Sequence, residues 1–405
     1  MPLPRRLLVH DARPGALHLI SRCVRQAYLC GDAAEHRRGW VRDLLRQAAG
    51  AFAVDVLAYA VMSNHLHIVV LTDPDRVTGW SASEVASRWA AAHPRLGRDG
   101  SVIPWSADEI TARAADVGWV AKARLRLRSL SWFMKAVKEQ LSRRANREDR
   151  CTGAFWEGRF RSVALLDQAA VIAAMAYVDL NPIRARVADR PETSDFTSIQ
   201  DRRQARQASR AELTLIPAHA DEPLPLPLIP SPTADEVGLW IAPILAATVD
   251  IPIGALLSPF ITLDPKHSRP EVRWSKTDAA NRLFTFEVNN HRDARDSDFR
   301  TSGPSDCVFK VDDYLTLVDT TGRIVREGKR GAIPTSLAPI LERLRLDLDG
   351  WLDLMAQGGH LGQGAIGALA SRAREALRRG ARWIVDRTAG LYQPDQPDCV
   401  RPALA

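Results

Sequence analysis

The chain has 405 residues, of which 46% are hydrophobic and 25% are charged. This composition is typical of globular proteins and excludes a wholly disordered or fibrous chain, and the length favours at least two domains. The formal net charge is +7 and the isoelectric point is about 9.4. Such a mild excess of positive charge permits a nucleic-acid partner but does not require one.

The cysteines and the hydropathy exclude further classes of protein. The five cysteines are scattered and form no Cys-x-x-Cys pair, so neither a zinc ribbon nor a disulfide framework is indicated. The N-terminal residues lack the apolar stretch of a signal peptide, and no run of about 18 apolar residues occurs. We therefore expect a cytoplasmic protein with reduced thiols.

The first part of the chain predicts strands and one amphipathic helix. The predicted strands cover residues 17–23, 54–62 and 65–71, and the predicted helix covers residues 36–52. The second and third strands are separated only by Ser63 and Asn64, so we expect them to pair as an antiparallel hairpin. Residues 73–120 are polar, carry short helical patterns and are predicted to be an insertion.

The basic excess is local. Residues 121–161 carry a net charge of +8, so the rest of the chain nets −1. Apolar residues at helical spacing predict an amphipathic helix here, and its polar face is one of two things: a solvated surface, or a phosphate-binding surface flanked by aromatic side chains. The candidate DNA-binding residues on this helix are Lys135, Lys138, Arg143 and Arg144.

An alanine-rich helix follows, with Asp167 as the predicted N-cap and its end at Asn181-Pro182. The composition changes near residue 200, and residues 217–270 contain eleven prolines. We therefore predict a Pro-rich linker or irregular segment over residues 201–307. Residues 308–405 are predicted to form a mostly helical C-terminal domain, with a turn at residues 321–323.

Two histidines on the third predicted strand are candidate metal ligands. Because side chains alternate across a sheet, His65 and His67 fall on one face and Leu66 falls on the other. Two such imidazoles can share a divalent metal ion, although two ordinary sheet histidines would give the same pattern.

Tyr177 and Asn181 are four residues apart at the end of the alanine-rich helix, so they project from one helix face. A core aromatic and a turn residue before proline would have the same spacing. Arg159 and Arg161 alternate on a predicted extended segment, where they either contact phosphate or are solvated. A phenol with a pKa near 10 needs help to act as a nucleophile, and a metal ion that polarises a phosphate would provide it.

These motifs together resemble the REP-associated tyrosine transposases, which are relatives of the single-tyrosine transposases of insertion sequences and belong to the HUH endonucleases. The resemblance is carried, in order, by the segments VMSNHLHIVV, SWFMKAVKEQLSRRANRED, FWEGRFRS and AYVDLNPIRARV, and it covers roughly residues 15–200. The 73–120 insertion and everything beyond residue 200 depart from the compact members of that family.

The resemblance implies a ferredoxin-like α+β nuclease domain of HUH type over residues 1–200, with an antiparallel sheet. It implies that His65 and His67 bind Mg²⁺ or Mn²⁺, that Asn181 is a third metal ligand, and that Tyr177 is the nucleophile. It places Arg159 and Arg161 near DNA. The implied substrate is single-stranded DNA with a hairpin, often a repetitive extragenic palindrome, and a homodimer is one expected assembly.

We therefore expect a metal-dependent transposase that cleaves and rejoins hairpin-bearing DNA through a 5′-phosphotyrosine intermediate. Two alternatives stay open. The first is a regulatory protein of the same family that binds DNA or RNA hairpins without cutting them. The second is a hydrolytic metal-dependent nuclease, in which the histidine pair activates water and Tyr177 only packs.

Overall fold

The computed structural model describes residues 14–97, 101–204 and 311–327, together with parts of 341–392. The strands are β1 (Gly15–Arg22), β2 (Val54–Val61), β3 (His65–Thr72), β4 (Arg95–Leu96), β5 (Val102–Ile103), β6 (Arg161–Leu165) and β7 (Ala365–Ile366). The helices are α1 (His36–Ala51), α2 (Ala82–Ala92), α3 (Ala107–Ala115), α4 (Val117–Leu127), α5 (Leu130–Glu148), α6 (Gln168–Asp179), α7 (Asn181–Arg184), α8 (Val311–Glu327), α9 (Leu348–Gln357) and α10 (Leu369–Arg378). The predicted Pro-rich segment lies outside the described residues, apart from 201–204.

The fold is α+β, built on a five-stranded sheet with the strand order β2-β3-β1-β6-β7. The four strands of this sheet that lie within the predicted nuclease domain pair antiparallel with one another, and β2 and β3 form the predicted hairpin. Their β-α-β-β-α-β connectivity is that of ferredoxin-like folds. The C-terminal strand β7 pairs in parallel with β6, so the complete sheet is mixed and not antiparallel throughout. This pairing covers the edge of β6, whose backbone groups would otherwise lack partners.

Each face of the sheet packs against its own helical layer. On β3, Leu66, Ile68 and Val70 pack against α1 and α5, and we call this side of the sheet the α1 face. Val69, on the opposite side, packs against α6, and we call that side the α6 face. Strict alternation along the strand therefore assigns His65 and His67 to the α6 face.

The segment predicted as an insertion forms the helices α2, α3 and α4 and the short β4–β5 hairpin. Val77, Trp80 and Val85 of this segment are buried in the core of the α1 face. The insertion thus thickens the layer that lies on the opposite side of the sheet from the histidine pair. No helix in the described parts of the chain is long and apolar enough to span a bilayer.

Helix α6 is buried along almost its entire length, and its predicted N-cap is present, because the Asp167 carboxylate accepts a hydrogen bond from Ala170 N at 2.9 Å. A helix that is apolar all round needs cover on both sides. The sheet covers one side, and the C-terminal helices α8 and α9 cover the other. The described part of the C-terminal region thus packs on the α6 layer.

The predicted turn at residues 321–323 is wrong, because α8 runs continuously through it. Gly322 lies where this helix crosses α7. A Cβ at this position would come within 3.1 Å of a Leu180 methyl carbon and 3.2 Å of an Ile183 methyl carbon. The glycine therefore allows close helix packing instead of a change in chain direction.

The buried carboxylate of Asp179, the last residue of α6, holds the two parts of the chain together. It accepts hydrogen bonds from Ile199 N at 3.0 Å, Tyr314 Oη at 2.6 Å and Ser198 Oγ, and it pairs with Arg202 Nη1 at 3.1 Å. Burial raises the pKa of Asp179, and Arg202 opposes that shift. The hydrogen-bond donors offset part of the cost of placing a charge in the core.

We expect Tyr314→Phe to lower the free energy of unfolding by about 1–3 kcal/mol, because it removes one donor from a fully buried carboxylate. Urea unfolding measures this change. Tyr28→Phe is the matched control, since Tyr28 is 67% exposed. Equal stability of the two variants would contradict the docking of α8 on α6.

Candidate active site

His65 and His67 are brought together on the α6 face of β3. Their ring centroids lie 4.9 Å apart, with the rings nearly perpendicular. His67 is only 6% exposed, and His65 is partly exposed. The Nδ1 atom of His65 lies 2.6 Å from Asn64 Oδ1, in the turn between β2 and β3. Because Nδ1 already has this hydrogen-bond partner, Nε2 is the nitrogen of His65 that could bind a metal ion.

Helix α6 places Tyr177 beside this pair. The centroid of the Tyr177 ring lies 5.9 Å from that of His67. Asn181 comes after the helix end, as the first residue of α7, and its side chain is close enough to His65 to act on the pKa of that imidazole. The Asn181 Nδ2 atom is buried without a hydrogen-bond partner. Tyr177 and Asn181, which the sequence predicts on one helix face, thus lie beside neighbouring imidazoles: Tyr177 beside His67 and Asn181 beside His65. Helix α6 itself ends at Asp179, before Asn181.

A third histidine, His18, also belongs to this cluster and was missed by the sequence analysis. It lies on β1, the strand next to β3, and is fully buried. Its Nε2 atom is 2.9 Å from His67 Nδ1, and the two rings stack with centroids 5.1 Å apart. One pattern in the sequence could have indicated it. Side chains alternate along the first strand, so His18, which stands between Leu17 and Leu19, lies on the face opposite to these two leucines.

Two arginines supply positive charge at the cluster. Arg22 lies directly opposite His65 in the β1–β3 register. The guanidinium carbon of Arg184 lies 3.9 Å from the centroid of the Tyr177 ring. Burial, helped by both arginines, lowers the pKa of His65 to about 4. Burial and the neighbouring His18 and His65 lower the pKa of His67 well below its usual value. Both imidazoles are therefore neutral near pH 7.

The donor set fits a divalent metal ion, because two neutral imidazoles lie side by side with a carboxamide close to one of them. The Nδ1 atoms of His65 and His67 both have hydrogen-bond partners, an arrangement typical of metal-binding histidines that use Nε2. Within the described ranges, no group of three or more His, Cys, Asp or Glu side chains is placed to hold a metal. A metal here would therefore depend on the Asn181 amide as its third protein ligand.

The predicted DNA-binding residues divide among three places. Lys135, Lys138 and Arg159 line one open groove of about 320 Å³ between α5 and the loop before β6, together with Trp156 and Phe160. This loop bends at Arg159, so the predicted extended segment begins only at Arg161.

Arg161 lies instead on the sheet. It pairs with Ile20 of β1, which pairs on its other side with His67, so one cross-strand row on the α6 face contains all three residues. The remaining two arginines lie outside the groove. Arg143 forms an ion pair with Glu139, and the Arg144 guanidinium carbon lies 3.7 Å from the Trp40 ring centroid.

The groove and the histidine cluster are joined by the backbone. Cys23, the residue after β1, forms a bridge with Trp156, and Glu157 N donates a hydrogen bond to Arg22 O at 2.9 Å. Because Arg22 pairs with His65 on the neighbouring strand, Glu157 of this loop lies near the cluster, although the groove itself is formed with α5 on the α1 face.

Comparisons with known proteins give few matches. No protein-family model matches the chain, and no curated protein matches it. One solved structure with a partial likeness is described as the REP-associated tyrosine transposase bound to a REP hairpin. The likeness covers 56% of this chain and 94% of that one, with 12% sequence identity and a TM-score of 0.30. At these values it carries no argument about function.

We expect His65 to titrate with a midpoint of about 4 in the folded protein, and of about 6.5 in the urea-unfolded chain. As the pH falls, the unfolded chain takes up its proton first. The free energy of unfolding therefore decreases as the pH is lowered from about 6.5 towards 4. NMR of the imidazole resonances, assigned with His65→Gln, measures both midpoints. A midpoint above 6 in the folded protein would contradict the buried environment.

Proposed function

We propose that this protein is a metal-dependent enzyme that cleaves and rejoins single-stranded DNA, with Tyr177 as the nucleophile. The observation that carries the proposal is the convergence of Tyr177, the histidine pair and Asn181 at one place on the α6 face. Tyr177 and Asn181 lie more than 100 positions after the histidine pair in sequence, so the meeting of the two pairs is a property of the fold.

In the proposed reaction, the Tyr177 hydroxyl oxygen loses its proton and attacks a phosphodiester phosphorus. The bond from phosphorus to the 3′ oxygen breaks, and that oxygen takes up a proton. The product is a 5′-phosphotyrosine and a free 3′ hydroxyl. Attack by the 3′ hydroxyl of another strand reverses these steps and restores the tyrosine. The phosphodiester energy is conserved, so no ATP is required.

His65, His67 and Asn181 would hold Mg²⁺ or Mn²⁺, which when bound supplies Lewis-acid polarisation of the phosphate. The chain's own charges act in the same direction. Arg184 lies against the Tyr177 ring and Arg22 lies opposite His65, so both are placed to attract a phosphate and to stabilise the charge that develops on it.

The proposed substrate path runs from the groove to the cluster. Lys135, Lys138 and Arg159 would contact the backbone phosphates, and Trp156 and Phe160 line the same groove. Glu157 of the loop that carries Arg159 is hydrogen-bonded to Arg22, so a strand in the groove would pass around the end of β1 to reach Tyr177 on the α6 face. A hairpin of the repetitive extragenic palindrome kind is the DNA structure that we propose as its target.

One observation favours the non-cutting alternative, a hairpin-binding regulator of DNA or RNA. Tyr177 is only 6% exposed, so its hydroxyl needs a local opening to reach a phosphate. In such a regulator the groove would still bind nucleic acid, and the histidine cluster would serve only to stabilise the sheet.

We expect a covalent protein–DNA adduct when the protein is incubated with labelled single-stranded oligonucleotides from the flanks of its own gene and Mn²⁺. Denaturing gels detect the linked label. The adduct should be absent in Tyr177→Phe, in a His65→Ala/His67→Ala double variant and with EDTA, and present in Tyr28→Phe. Binding without cleavage would favour the regulator. A free 5′ phosphate without attached protein would favour the hydrolytic nuclease.

The groove makes a separate prediction. Lys135→Ala/Lys138→Ala/Arg159→Ala should weaken single-strand binding and reduce the slope of log K against log salt by about 2, because each single-strand phosphate contact contributes about 0.7. The control is Arg113→Ala/Lys122→Ala/Arg323→Ala, which removes the same charge elsewhere on the surface. Fluorescence anisotropy across a salt series measures both. An equal change in the two triple variants would show that only the net charge matters.

A further inference from the structure

The contact between His18 and His67 determines which nitrogen of His67 carries a proton. The Nε2 atom of His18 and the Nδ1 atom of His67 lie 2.9 Å apart, and one proton occupies the hydrogen bond between them. If His67 donates, its Nδ1 carries the proton and its Nε2 has a lone pair. If His18 donates to a neutral His67, the Nε2 atom of His67 carries the proton and cannot bind a metal.

The charge around the ring favours the first arrangement. Arg22 and Arg184 both act on His67 and favour its neutral form. Nearby positive charge also favours a lone pair over an N–H at Nε2, the nitrogen of His67 that does not contact His18. The second histidine of the pair, His65, is held in the matching way, because its Nδ1 lies against the Asn64 amide oxygen.

We propose that His18 is a positioning residue, which accepts the Nδ1–H of His67 and thereby directs the Nε2 lone pair of His67 into the site. The inference concerns a residue outside the predicted site, and its part about the metal rests on the proposed function. His18 is suited to the task because it is fully buried on β1, a central strand that pairs on both sides. Stacking on His67 also fixes the plane of the ring that it orients.

Two substitutions separate the acceptor from the packing. His18→Phe keeps a ring of similar size and removes the acceptor. His18→Gln keeps an acceptor oxygen that can reach His67 Nδ1. His18 variants that unfold are recognised by circular dichroism. In addition, the wild-type protein alone gives a decisive result, because long-range ¹H–¹⁵N NMR of the imidazoles identifies the tautomer of His67 without any metal or DNA.

We expect His67 to be the Nδ1–H tautomer in the wild type and in His18→Gln, and to lose this preference in His18→Phe. We also expect Mn²⁺ affinity, measured by electron paramagnetic resonance, to fall about 10–100-fold in His18→Phe. In His18→Gln it should fall by less than in His18→Phe, since the acceptor is retained.

The outcomes are distinguishable. An Nε2–H tautomer in the wild-type protein overturns the inference, and so does unchanged Mn²⁺ affinity in a folded His18→Phe. If the wild type shows the Nδ1–H tautomer but binds no Mn²⁺, the proposed metal-dependent function fails, while the assignment of His18 as the acceptor for His67 stands.

Discussion

The burial of α6 on all sides is the constraint on which the rest of the structure depends. A helix without a polar face is stable in water only if two layers enclose it. Here the sheet is one layer, and helices from residues beyond 310 form the other. Both ends of α6 are held by carboxylates that contact the C-terminal region. Asp167 accepts a hydrogen bond from Ala368 N at 2.7 Å, and Asp179 accepts one from Tyr314 Oη at 2.6 Å.

This constraint couples the C-terminal region to the candidate site. Tyr177 and Asn181 are each two residues from Asp179, so the same short stretch of chain carries the core charge and the site side chains. The buried Asp179 carboxylate needs all of its hydrogen-bond and ion-pair partners, because removal of one leaves the buried charge with too few donors. The position of Tyr177 relative to His67 therefore depends on contacts made on the far side of α6, where no site residue lies.

Local pattern was enough to predict part of this arrangement. The hairpin, the shared face of His65 and His67, and the Asp167 cap all follow from neighbours in sequence, and the structure has each of them. Tyr177 and Asn181 reach the same cluster because the chain stays close to helical through Leu180.

The features that were missed depend on contacts distant in sequence. His18 is 49 residues from His67, and a lone histidine in an apolar strand has no local sign of a partner. Tyr314 is 135 residues from Asp179. Gly322 was misinterpreted for the same reason. A glycine that marks a turn and a glycine that allows another helix to approach look identical in sequence, and only the neighbouring Leu180 and Ile183 distinguish them.

The electrostatics of the cluster are consistent with the proposed function, in which the site takes a phosphate. The histidines are neutral near pH 7, and the charges that act on them are those of Arg22 and Arg184. The nearby carboxylate of Asp179 is committed to Arg202 and does not neutralise these arginines. In the proposed function, a phosphate is the group that these arginines would bind. A site that only bound phosphate would need the arginines. It would gain nothing from two imidazoles whose Nδ1 atoms both already have hydrogen-bond partners. In the proposed function, the histidine pair beside Tyr177 is the feature that distinguishes catalysis from the binding of phosphate alone.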